Sequence, residues 1–242
     1  MRRRFFSNNS MGQSYDCRNY LTIEALEDGL QVMFNGDVYY GVDGFGWALL
    51  KSNNATPEIN QGHYISFKFD QYESGKRVSY ISKKCRLSGN CMSMIFGDDA
   101  AGQTSLLDYE RAFESYFHYL TNIVEVSDNF LPATILSPNC YDSMFYECTG
   151  LTKAPALPAI ELAEGCYYSM FQGCTSLVEA PVLPATTVKG DSYRRMFSNC
   201  SNLVKAPEIH ATTVLGFGCD SMFTYCKSLT NAPDLQITSI SN

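Results

Sequence analysis

Ten cysteines, three histidines and a Gly97-Asp98-Asp99 triplet are the residues of this 242-residue chain whose types invite a chemical reading. A zinc site would need ligand pairs two to four residues apart, and no such Cys-Cys pair occurs in the sequence. Cys148, Cys174, Cys200 and Cys226 recur at a fixed interval of 26 residues. Four equivalent thiols specify no disulfide pairing, and Cys140 and Cys148 on one short helix would stand about 12 Å apart, beyond the reach of a bridge. The expected state is a column of buried free thiols acting as small hydrophobes, which suits a reducing setting. A Cys–His nucleophile calls for one distinctive cysteine, whereas these are periodic, and the histidines are His63, His118 and His210. The Gly97-Asp98-Asp99 triplet reads as a turn or cap. No glycine-rich phosphate loop is present. The expectation is therefore no enzyme: no catalytic residue, no metal ligand and no cofactor.

The elements that carry these residues are set by the repeat. Met144-Phe145 returns as Met170-Phe171, Met196-Phe197 and Met222-Phe223. Leu151 returns as Leu177, Leu203 and Leu229, and Ala154-Pro155 as Ala180-Pro181, Ala206-Pro207 and Ala232-Pro233. Each unit reads in two pieces. Cys140, Met144, Phe145 and Cys148 share one face at 3.6 residues per turn, which predicts a helix of about two turns. Leu151 to Pro158 holds two prolines, which forbid a helix and a long paired strand, leaving a short extended segment. No single unit buries its own apolar face, so stacking must supply the core. Ser115 to Ile123 is a degenerate earlier copy.

Before the repeats, residues 20–105 show short β-rich runs such as Leu21-Thr22-Ile23-Glu24-Ala25 and Tyr64-Ile65-Ser66-Phe67. Turn residues such as Asp28-Gly29 and Asn35-Gly36 separate them, the pattern of a small β-sandwich. The predicted fold is α+β: a β-sandwich-like domain over 20–105, then a solenoid over 106–242 with 26-residue repeats, of the leucine-rich-repeat class by the resemblance given below. The solenoid divides into a degenerate first coil over 106–130 and regular coils over 131–242. Residues 1–19 are expected to be a flexible or anchoring tail, with Arg2, Arg3, Arg4, Phe5 and Phe6 as the anchor.

The unit carried by Cys166-Tyr167-Tyr168-Ser169-Met170-Phe171, Cys174, Leu177, Ala180-Pro181 and Leu183-Pro184-Ala185-Thr186 resembles the BspA-like, Treponema-type leucine-rich repeats of bacterial surface proteins. Ser192 and Gly218 depart from the pattern at the first Cys, and His210 and Gln236 at the second Pro. Leu21 to Gly29 and Gly89 to Asp99 resemble the β domain that often precedes such repeats in proteins of gut bacteria and their phages. The resemblance implies a non-enzymatic binding and adhesion protein.

The binding strip would lie where repeat-variable residues flank the extended segment. Thr152-Lys153, Val178-Glu179, Val204-Lys205 and Thr230-Asn231 form one set, and Ala156, Val182, Glu208 and Asp234 the next. Lys153, Glu179, Val182, Lys205, Glu208, Asn231 and Asp234 are the candidate ligand contacts. The expected partner is a protein or glycan on a cell surface, with other virion proteins and a homo-oligomer as further partners. A net charge of −7 argues against nucleic acid, and no apolar run of membrane-spanning length occurs. Met1-Arg2-Arg3-Arg4-Phe5-Phe6 opens as a secretory signal does, but polar residues follow where an apolar run is needed. The expectation is accordingly a phage virion-attached structural or host-recognition protein. The alternatives are a bacterial cell-surface adhesin and an intracellular scaffold.

Overall fold

Alternating apolar residues build the first sheet, in which β1 (Leu21–Ala25) turns Leu21, Ile23 and Ala25 into the core. A computed structural model describes residues 14–241. The sheet has six strands in the order β4 (Phe45–Leu50), β3 (Val38–Val42), β5 (Tyr64–Lys68), β1, β7 (Cys85–Gly89) and β8 (Ile123–Val126). All its pairings are antiparallel except β7 with β8, which is parallel. A two-stranded sheet of β2 (Val32–Phe34) and β6 (Val78–Ile81) packs on it, with the Phe34 and Phe67 rings 4.9 Å apart. Residues 14–19 lie on this sheet: Ser14 bridges Phe45, and the Tyr15 ring stacks 4.4 Å from Trp47.

The expected α+β solenoid with a helix in each unit is overturned. Among the described residues there is one α-helix, α1 (Ser93–Phe96), and it precedes the repeats. The sheets are mixed, and Cys140–Cys148 and its counterparts contain no helix. They are chains of consecutive turns. Met144, Tyr146 and Cys148 donate their N–H groups three residues back, to Tyr141, Ser143 and Phe145. The intervening donors point the other way: Tyr141, Ser143, Phe145 and Glu147 bond the carbonyls of Cys166, Tyr168, Met170 and Gln172 in the next unit. Positive φ recurs at every fourth residue, at Asn139, Ser143 and Glu147, then Gly165, Ser169 and Gly173. A four-residue repeat puts offsets 0, 4 and 8 on one face much as a 3.6-residue helix does, so the apolar spacing alone does not separate the two. Left-handed backbone at Ser143 or Glu147 is costly for L-residues, and the inter-unit hydrogen bonds offset that cost.

Rings stack from unit to unit. Phe117, Phe145, Phe171, Phe197 and Phe223 form one column with centroids 5.4–5.9 Å apart. Tyr141, Tyr167 and Tyr193 form a second. Beside them the thiols of Cys148, Cys174, Cys200 and Cys226 each donate to a Phe carbonyl of the preceding unit at 3.0–3.1 Å. All ten cysteines are free, seven of them buried. Burial pushes the Cys85 and Cys166 thiols up to about 12. Short parallel pairings tie the other side of the units, among them β9 (Thr187–Val188), β10 (Thr213–Leu215) and β11 (Ser239–Ser241). Because β8 lies within the first, degenerate copy, the six-stranded sheet runs directly into the repeats, and one buried core extends through both.

Candidate binding surface

The extended pieces of successive units lie side by side through isolated parallel bridges. Glu125 pairs with Lys153, Lys153 with Glu179, and Glu179 with Lys205. Further along the same pieces, Leu183 pairs with Ile209 and Ile209 with Leu235. Parallel pairing keeps equivalent residues on one face, so Lys153, Glu179 and Lys205 form one exposed column. Val182, Glu208 and Asp234, each just before a residue of the second pairing, form another. Asn231 is exposed beside Thr230, which bonds the Val204 carbonyl through both its N–H and its hydroxyl. The structure thus brings the seven sequence-derived strip residues to exposed positions on the flank of the extended pieces. Arg2, Arg3, Arg4, Phe5 and Phe6 lie outside the described residues.

Between the first two regular extended pieces the surface sinks into a groove of about 570 Å³. Its walls are Pro155, Pro158, Pro181 and Pro184 with Ala154, Ala156, Val178 and Val182. Asp128, Lys153 and Glu179 stand at its rim. The floor is apolar because Ala-Pro recurs in each unit, and proline supplies no donor to a neighbouring strand. Val178 and Val182 remain half exposed at the edge. No aromatic ring lines the groove among the described residues.

The charges of this face pair along it. Lys205 meets Glu179 at 3.0 Å, and Lys153 meets Asp128 at 3.4 Å. On the adjoining sheet Arg86 bonds Glu125 at 2.9 Å and Glu24 at 3.2 Å. Hydrogen bonding and charge from Glu125, with Glu24 behind it, raise the Arg86 pKa. Sequence reasoning missed Arg86, Glu24, Glu125 and Asp128. The place of Glu24, Arg86 and Glu125 on this face follows from strand register across β1, β7 and β8, with Asp128 just after β8, and nothing in local spacing signals it.

Several titratable groups elsewhere are held in structural pairs. Asp98 of the Gly97-Asp98-Asp99 turn accepts from the Lys68 ammonium and, at 2.8 Å, from the Tyr20 hydroxyl. Lys68 in turn sits 4.4 Å from the Trp47 ring centre. This clasp fixes the turn to β5 and to the residue before β1. His63 pairs with Asp43 at 2.6 Å and His210 with Glu208 at 2.9 Å, both exposed, while His118 Nδ1 meets the Ser115 carbonyl. Among the described residues no group of three or more His, Cys, Asp or Glu is arranged to hold a metal ion. Comparison with protein-family models, with curated proteins and with solved structures finds no match for the chain.

Proposed function

We propose that the chain is a non-enzymatic binding module that recognises a protein through the strip and groove formed by its extended pieces. The observation that carries this is the groove itself, apolar at its floor and charged at its rim, on extended pieces that pair in register from one unit to the next. Sugar recognition leans on aromatic faces, and this groove has none among its described lining residues. An apolar centre with a polar rim is instead the make-up of a protein–protein contact. The likeness of the 26-residue unit to BspA-like repeats supports display on an exterior surface, of a cell or a virion. The test titrates fluorescently labelled chain onto intact cells and onto virions of the native culture. Val182→Arg combined with Ala156→Arg fills the groove at two exposed positions. The double variant is expected to keep its melting temperature and lose binding at least about tenfold. Unchanged binding would overturn the proposal, as would finding the native protein only in the cytosol.

A further inference from the structure

The charged face extends further than the repeats. Following the pairings from β1 outward, directly facing residues run Glu24, Arg86, Glu125, Lys153, Glu179 and Lys205. The signs alternate without a break, across strands from three unlike parts of the chain. Cross-strand neighbours are about 4.8 Å apart, so the ladder spans about 24 Å. Its residues are open to solvent, from one third of the Glu24 side chain to nearly three quarters of that of Lys205.

An even, alternating ladder has a symmetry property. Take a two-fold axis lying in the contact plane and crossing the ladder at right angles between Glu125 and Lys153. It brings a second copy face to face with the ladder reversed. Glu24 then meets Lys205, Arg86 meets Glu179, and Glu125 meets Lys153, each pair occurring twice and each of opposite sign. Half-exposed Val178, Val182 and Val204 flank the column and supply apolar area to the centre of such a contact.

We infer that the protein partner of this face is a second copy of the chain, joined by antiparallel apposition of the two charge ladders. The inference rests on the proposed binding reading and makes that recognition homophilic. Self-pairing of this kind is steered by charge and weakened by salt.

The test is sedimentation equilibrium of the full chain and of the double variant Glu179→Lys with Lys205→Glu. The exchange keeps an opposite pair at the 3.0 Å internal contact and sets the new cation beside Lys153, which keeps Asp128 at 3.4 Å; these side chains are exposed, so folding is preserved, as an unchanged melting temperature would record. In the two-fold contact it sets like charges face to face: the new cation at position 179 meets Arg86, and the new anion at position 205 meets Glu24. The wild-type chain is expected to form a dimer that dissociates as sodium chloride is raised from about 50 to 500 mM. The variant should dimerise at least about tenfold more weakly. A wild-type chain that stays monomeric to about 100 µM overturns the inference, and so does a dimer indifferent to the exchange. Either result leaves the groove variants to decide the binding proposal separately. If those variants still lose cell or virion binding while the chain is monomeric, the module binds a different protein.

Discussion

Replacing Phe171 with alanine should be among the most damaging single changes in the repeats. The ring is fully buried between Phe145 at 5.7 Å and Phe197 at 5.6 Å. Emptying a buried Phe site costs about 3–5 kcal/mol, and each stacked partner contributes about 0.5–1.5 kcal/mol beyond area. With partners on both sides, the expected loss lies at the top of the range for a buried Phe, about 4–5 kcal/mol. Phe223 is partly exposed and stacks on Phe197 at 5.9 Å, so Phe223→Ala should cost about 2 kcal/mol by the same reasoning. Urea unfolding monitored by near-ultraviolet dichroism measures both. Trp47, the single tryptophan, sits in the β domain and adds a second readout. Because one buried core joins sheet and repeats, its fluorescence transition should move with Phe171→Ala as well. Equal losses for the two variants, or a loss under about 1 kcal/mol for Phe171→Ala, would refute the stacked-column geometry.

In the folded protein a thiol reagent should modify Cys17, Cys219 and Cys226, the three partly exposed cysteines, and spare the seven buried ones; peptide mass mapping reads the result, and rapid labelling of Cys148, Cys174 and Cys200 would contradict it. Stability should fall on the alkaline side. The Cys85 and Cys166 values are raised by burial from 9.0 to about 12, so their contribution is whole below pH 9 and is lost as pH rises through the folded value. Each should cost on the order of 1 kcal/mol by pH 10, and urea midpoints unchanged from pH 8 to 11 would count against the burial. Hydrogen exchange should divide the turn chains. The amides of Tyr193, Arg195, Phe197 and Asn199 bond carbonyls of the following unit and should exchange slowly. Their counterparts Cys219, Ser221, Phe223 and Tyr225 have no following unit among the described residues and should exchange fast.

The 26-residue spacing exposed the apolar columns because each position meets its own counterpart one unit on, as Tyr141 meets Tyr167 and Tyr167 meets Tyr193. The same spacing misdirected the local conformation. A turn chain with a four-residue repeat and a helix both bury Cys140, Met144, Phe145 and Cys148. The distinguishing signal was weak: Asn139, Gly165, Gly173 and Asn199 tolerate left-handed backbone, but Ser, Glu, Arg and Tyr share those positions. Of the candidate surface, Lys153, Glu179 and Lys205 were visible as repeat-variable residues. Glu24, Arg86 and Glu125 were not, since they reach the same face through long-range pairing of β1, β7 and β8, which no periodicity encodes. Composition places a boundary between β domain and repeats near residue 105, and no local signal announces that β8 joins the sheet from beyond it.

The claim that recognition runs through the strip is tested most directly by lysine footprinting. The chain is acetylated free at high dilution and again when bound to intact cells or virions of the native culture, and each lysine is quantified by mass spectrometry. Lys153 and Lys205, on the strip, are predicted to lose reactivity on binding, while the exposed Lys51, Lys189 and Lys227 keep theirs. Protection of Lys51, Lys189 or Lys227 with Lys153 and Lys205 still reactive would place recognition on another face and contradict the account.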